Sequence, residues 1–201
     1  MIPDTKRCQY CREAIKTEGI ECQFCGQFLD RNTRSINRIP SPLRDEQYET
    51  VLNWGKYGNP SLREFDLAKR VLSKLNLHRV DLRMANLTNT NLTGVNLTGA
   101  DLSEARLHET NLTGANLMGA DLFSVYMTDA NLTGANLTGA RLLHANLIRV
   151  DLSGRDLSGC DLRLARLTGT NLTGANLFGV KYNSKTRWPK RFKIPNTATK
   201  E

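Results

Sequence analysis

The sequence predicts an all-β solenoid, a four-sided coil built from five-residue units, on two observations. From Leu77 to Leu177 every fifth residue is leucine, with Met127 the one exception. Glycine then falls in a pattern that repeats every twenty residues. The pentads centred on Leu92, Leu112, Leu132, Leu152 and Leu172 end in glycine, as do those on Leu97, Leu117, Leu137, Leu157 and Leu177. Those centred on Leu82, Leu102, Leu122, Leu142 and Leu162 never do, and of those on Leu87, Leu107, Met127, Leu147 and Leu167 only the last does, at Gly169. Four pentads per turn of a square coil follow.

A period of five fits neither ordinary element. On an α-helix five residues advance a side chain by about 500°, which spirals the leucines around every side. On an uninterrupted strand an odd period alternates them between faces. A short extended segment followed by a turn re-aims each leucine inward. Two residues before each leucine stands a small residue (Ala85, Ala100, Ala115, Ala120, Ala145), which shares the inward face of the extended segment. The residue between them, usually Asn or Asp, faces outward. The last two positions, often Thr-Gly, form the corner, where glycine meets the positive φ of a type II turn.

These features resemble the pentapeptide repeat family, whose motif is small–Asn/Asp–Leu–x–x; ANLTGANLTGA at 130–140 and GANLMGADL at 114–122 carry the resemblance. It implies a right-handed quadrilateral β-helix over residues 77–182. At about 4.8 Å per coil, that is a rod about 25 Å tall.

Open ends of such a stack need covers. Asn59-Pro60-Ser61 with Glu64 reads as a turn and capping box. Leu62, Phe65, Ala68, Leu72 and Leu75 recur at helical spacing, so an amphipathic helical cap is expected over 62–75, with a second short helix over 45–54; together residues 45–76 form the N-terminal cap. Leu67 and Leu72 also keep the five-residue register, which makes degenerate repeats the competing reading of 65–76. At the other end Trp188 of TRWP is expected to act as a lid, with residues 183–201 a closing segment that runs into a basic, poorly ordered tail.

Cys8-x-x-Cys11 and Cys22-x-x-Cys25 bracket ten residues and resemble the short zinc-ribbon modules appended to many bacterial proteins. Four thiolates complete a closed tetrahedral sphere, so one structural zinc is expected within residues 1–29, followed by a polar linker over 30–44. Two disulfides are the competing reading. The first residues lack the apolar stretch of a secretory signal, and no apolar run approaches the ~20 residues of a membrane span, so a cytoplasmic protein with reduced cysteines is expected. Cys160 lies in the inward small column and reads as a buried structural thiol.

Nothing in the sequence resembles a nucleophile with its base, a phosphate loop or an open metal site, so no catalytic activity is expected. The net charge of +8 is concentrated: residues 183–201 carry six basic side chains and one acidic. Bulk electrostatics therefore argue only weakly for nucleic acid. Two sides of the coil are monotonous Asn/Asp-Leu-Thr/Ser-Gly. The other two carry the large outward groups: Arg83, Phe123, Arg141, Leu143, His144 and Arg163 on one, Arg106, Tyr126, Ile148 and Arg166 on its neighbour. Arginine, aromatic and aliphatic groups together are what interface centres favour, against the alternative of drift at unconstrained positions. The expected partner is another protein. The alternatives are nucleic-acid binding through the ribbon and the tail, or DNA mimicry of the kind the resemblance brings from family members that protect DNA gyrase. Against mimicry, five acids and one base over 84–140 give way to six bases and three acids over 141–182. Arg155 breaks the pattern: it holds the inward position of Val95, Ala115, Ala135 and Ala175, and a buried unpaired guanidinium is costly, so a distortion at Gly154-Arg155 is expected, with the side chain turned outward toward Asp151 or Asp156.

Overall fold

The computed structural model describes residues 5–7, 14–16, 50–54 and 61–201. From residue 61 onward it is a four-sided β-helix. Parallel bridges join residues twenty apart on all four sides, for example Asp81 to Asp101, Asn86 to Arg106, Asn91 to Asn111 and Asn96 to Asn116. Side one carries Leu62 through Leu162, side two Leu67 through Leu167 with Met127, side three Leu72 through Leu172, and side four Leu77 through Leu177. These columns are buried to within a few per cent and fill the interior with the small column beside them. Thr90, Thr110 and Thr170 stand in that small column and remain satisfied, each hydroxyl donating to a leucine carbonyl of the preceding coil at 2.7–2.8 Å.

Most pentads make the same backbone bonds. The leucine N–H donates to the next coil, as Leu92 does to Asn111 O at 2.8 Å, and the residue after the corner donates back to the leucine carbonyl, as Val95 does to Leu92 O at 3.2 Å. The residue two after each core leucine has positive φ at all 24 corners from Glu64 to Gly179, and 13 of those residues are not glycine. The glycine rule of the sequence therefore marks where the left-handed conformation is free of strain rather than where it occurs.

The expected helix over 62–75 is not formed. Leu62, Leu67 and Leu72 are buried in the leucine columns, and Asp66, Val71 and Asn76 bridge to Asn86, Asn91 and Asn96, so these residues are a further coil. The helical spacing arose because Phe65 and Leu75 occupy the inward small positions, where bulk is tolerated at the end of the stack; both are half-buried against the core. Residues 50–52 are helical within the expected short helix over 45–54, and Val51 is fully buried in the same core; residues 45–49 lie outside the described residues, as does the expected linker over 30–44.

The C-terminal tail is also corrected. Residues Lys181–Tyr182 pair in parallel with Thr199–Lys200, and the chain end returns onto the last coil through Thr199 N–H to Val180 O and Glu201 N–H to Tyr182 O. Residues 197–201 thereby satisfy backbone groups of the last coil at Gly179, Val180 and Tyr182. Glu201 is paired with Arg163 and Lys181. Trp188 packs edge-on to Tyr182 and stacks on Phe192, 5.4 Å between ring centroids.

Apart from this coil, residues Thr5–Arg7 and Ala14–Lys16 pair antiparallel, Arg7 opposite Ala14.

The ladder loosens in one place. Leu132 and Leu137 N–H do not reach Asp151 and Asp156 O, the bridges Asn131–Asp151 and Asn136–Asp156 are missing among the described residues, and Arg155 stands beside both gaps. The turn at Gly154-Arg155 is itself regular, with Arg155 N–H on Leu152 O at 3.1 Å, so the irregularity is a gap between coils and not the expected local distortion. The side chain is half-buried, its Nε donates to Ser153 O at 3.1 Å, and among the described residues no carboxylate lies within 4.0 Å of it. Replacing Arg155 by alanine, the residue of its column neighbours, is expected to let the coils close. Its Tm should equal or exceed that of the parent, with slower amide exchange at Leu132, Leu137, Asp151 and Asp156. A lower Tm would show that the guanidinium stabilises the gap.

Candidate partner-binding surface

Sides one and two carry most of the large outward residues, with Met118 and Phe178 exposed on side four, and the structure separates sides one and two by how their charge is used. On side one the arginines are paired within the chain. Arg83 grips Asp81 at 2.8 Å and approaches Asp101 at 3.6 Å, Arg141 meets Asp121 at 2.9 Å, and Arg163 binds Asp161 at 2.7 Å as well as Glu201. Hydrogen bonds from Arg83 hold the Asp81 carboxyl well below the usual carboxylate range. Burial pushes Asp161 upward, but the hydrogen bonds and charge of Arg163 together outweigh it and leave that carboxyl lowered too. Phe123 is half-buried beneath the Arg141 guanidinium, 5.4 Å from the ring centroid, and Leu143 is half-buried as well.

On side two the corner residue Arg149 pairs with Asp129, but the outward column is arranged differently. That column runs Asn86, Arg106, Tyr126, Asn146, Arg166, Arg187 as successive bridge partners. Among the described residues no carboxylate lies within 4.0 Å of the Arg106, Arg166 or Arg187 guanidinium. Tyr126 is 53% exposed. A shallow concavity of about 670 Å³ opens around Tyr126, Arg106, Met84 and His108, and a second of about 650 Å³ around Arg166, Arg187, Lys185 and His144. Ile148 sits half-buried in the same side.

Met84, Leu164, Lys185 and Arg187 belong to this surface and were not singled out from the sequence. Arg187 bridges Arg166 across 21 residues instead of twenty, because the chain gains one residue after Tyr182, so the column could not be continued by counting. Met84 and Leu164 are corner residues at positive φ, which project beside the column.

The twenty-residue register also brings Ser124 Oγ within 3.0 Å of His144 Nδ1. A working nucleophile–base pair needs a third group to orient the base. Among the described residues no carboxylate contacts His144, and the pair stands on an exposed corner. His108 is held separately, Nδ1 at 2.9 Å from Thr128 O.

No group of His, Cys, Asp and Glu among the described residues could hold a metal ion; Cys8, Cys11, Cys22 and Cys25 lie outside them. No helix among the described residues is long and apolar enough to cross a membrane.

A rod of pentads with inward leucines, outward polar residues and four-sided bridging defines a class of protein. Residues 76–181, just over half of the chain, match the family model of pentapeptide repeats, in eight copies. The chain belongs to the pentapeptide repeat family. No curated protein matches it. Similar solved structures include a pentapeptide repeat protein from the Arabidopsis thaliana thylakoid lumen, 29% identical, covering 51% of this chain and 68% of that one with a TM-score of 0.40. Another is HetL, a pentapeptide repeat protein involved in heterocyst differentiation regulation from the cyanobacterium Nostoc sp. strain PCC 7120, 29% identical over 61% of this chain and 74% of that one, TM-score 0.26. Family membership rests on the repeat match.

Cys160 is fully buried, its thiol 3.1 Å from Leu137 O, and burial pushes its pKa up to about 12. A thiol so placed carries almost no thiolate at pH 8. Native protein treated with iodoacetamide at pH 8 should therefore leave Cys160 unmodified in peptide mass mapping, while guanidinium-unfolded protein alkylates it fully. Alkylation in the native state would place the thiol outside the core.

Proposed function

We propose that the chain is a non-catalytic scaffold for protein–protein interaction, with side two of the β-helix as its docking surface. The observation that carries this reading is the contrast between the two decorated sides: arginines on side one are neutralised by neighbouring aspartates, whereas Arg106, Arg166 and Arg187 on side two are left for an outside partner beside exposed Tyr126. Arginine and tyrosine on a surface of shallow hollows are the groups that supply most binding energy in protein interfaces. The same contrast counts against DNA mimicry, because the aspartates of side one that would imitate phosphates are already paired. The C-terminal basic segment is packed on the last coil, which weakens its case as a free nucleic-acid-binding arm.

A photo-crosslinking residue placed at position 126, and in a second variant at Asn116 on side four, tests this directly in nuclease-treated lysate of the native host. Position 126 should yield a discrete protein adduct and position 116 should not. Arg106→Ala with Tyr126→Ala should weaken capture of that protein by tenfold or more, on the scale of one or two interface hot spots. Equal yields at both positions, or adducts only with nucleic acid, would remove the reading.

The proposal extends to the N-terminal segment, which we assign as a ribbon holding one structural zinc through Cys8, Cys11, Cys22 and Cys25, in a cytoplasmic protein. Its support is topological: the paired strands Thr5–Arg7 and Ala14–Lys16 are joined by residues 8–13, the stretch that carries Cys8 and Cys11. Antiparallel strands joined by a short Cys-x-x-Cys connection suit one half of a four-thiolate site. Elemental analysis should find one zinc per chain. Cys22→Ser should lose it while the β-type circular dichroism of the coil persists; zinc retained in that variant, or a parent isolated with two disulfides, refutes the assignment.

A further inference from the structure

The C-terminal hollow of side two concentrates positive charge. Arg166 and Arg187 are direct bridge partners, one rung apart, which puts their backbones about 4.8 Å from one another. Lys185 stands in the same wall, and His144 and Leu164 close the opposite side. Like charges directly opposed on neighbouring strands destabilise a sheet. The run of Asp81, Asp101 and Asp121 on side one is relieved by Arg83 and Arg141, whereas among the described residues no carboxylate lines this hollow.

The wall is also rigid. Asn183 Oδ1 accepts the N–H groups of Leu164 and Lys185, while Thr186 Oγ1 accepts Asn183 N–H and donates to Leu162 O at 2.9 Å. The turn at 183–186 is therefore held against the preceding coil, and the Lys185 backbone is fixed beside the two arginines before any ligand arrives. Such preorganisation lowers the ordering cost of binding.

We propose that this hollow binds a phosphate monoester dianion, presented by a phosphorylated side chain of the docked partner. Guanidinium forks match phosphate oxygens bidentately, and a monoester carries close to two negative charges at neutral pH, against one for a carboxylate. Three cations lining one hollow suit the dianion. A nucleic-acid backbone fits less well, because its continuing phosphates would run along the same side toward Glu104, which lines the other hollow. The carrier of the phosphate rests on the reading of side two as a docking surface; the anion site itself does not.

The test is a titration of the full-length protein, followed by NMR of the arginine Nε–Hε resonances, with N-acetyl-phosphoserine amide, N-acetyl-glutamate amide and a short DNA duplex. The monoester should shift Arg166 and Arg187 with millimolar affinity and leave Arg83 and Arg141 in place, and the glutamate analogue should bind at least tenfold more weakly. Arg166→Gln with Arg187→Gln should abolish the response, while Arg141→Gln, on side one, should not change it. Equal affinity for the glutamate analogue, undiminished monoester binding in the double variant, or DNA bound more tightly than the monoester through the same arginines would each overturn the site. Monoester binding with no partner crosslinked at position 126 would uphold the anion site and remove only the docking reading. A crosslinked partner without monoester binding would do the reverse.

Discussion

The hydrogen bond from a column leucine N–H to a carbonyl nineteen residues ahead, made by most of the column leucines, sets the rest of the molecule, as from Leu97 to Asn116 and from Leu152 to Asn171, both 2.8 Å. It holds one coil on the next, and because it recurs with a constant offset it stacks each residue on its counterpart twenty positions away. Every column of the rod is therefore a sequence read at intervals of twenty, about 4.8 Å per step. Asparagine suits such a column because its amide donates to its neighbour while its oxygen caps the next turn: Asn96 Nδ2 reaches Asn76 Oδ1, and Asn96 Oδ1 accepts the Thr98 N–H. Aspartate cannot donate, so the run of Asp81, Asp101 and Asp121 on side one repels itself until Arg83 and Arg141 intervene.

The same ladder fixes where strain is stored. Each corner requires one residue in the left-handed region, which glycine adopts without penalty and other residues adopt at a cost of about 1 kcal/mol or more. Sides three and four meet that requirement with glycine at most corners from Gly94 onward. Sides one and two mostly do not, and place Met84, Glu104, Ser124, His144, Arg149 and Leu164 there instead. Side chains at those corners come with a conformational penalty that glycine would remove. The two strained sides are also the two that carry most of the coil's arginines and aromatics, so stability is given up where a surface with chemical character is gained.

The period of five and its glycine super-period carried the interior legibly. They gave the number of sides, the inward leucine and small columns, and the place of Arg155 in the small column, because each of these is a property of register. Legibility failed where register competes with another pattern or is lost. Phe65 and Leu75 widened the small column at the N-terminal end, and with Leu62 and Leu72 they mimicked the three-and-four spacing of a helix. At the other end one extra residue after Tyr182 moved Arg187 under Arg166, a juxtaposition that counting by twenty misses. The return of residues 197–201 depends on backbone groups of the last coil, and composition, which reads KRFKIPNTATKE as a basic tail, carries no sign of that. The pairing of the side-one arginines, and of Arg149 with Asp129 on side two, and the lack of a carboxylate partner at Arg106, Arg166 and Arg187 are likewise a matter of side-chain reach, which depends on rotamers and not on register.

Because the core of this rod is repaid column by column, its outward positions are nearly independent of its folding. An outward substitution leaves the leucine stack and the ladder untouched, and each coil contacts only its neighbours. In a globular domain an exposed cluster of like charge can be a consequence of packing elsewhere; here folding asks nothing of the identity of residues 166, 185 or 187. Asparagine at 166 would continue Asn146 above it and make the bonds that Asn96 makes on side four. The chain instead opposes arginine to arginine across one rung, with no carboxylate within reach, while it neutralises arginines only one side away. A column that the fold does not require carries a self-repulsion that the proposed phosphate ligand would relieve.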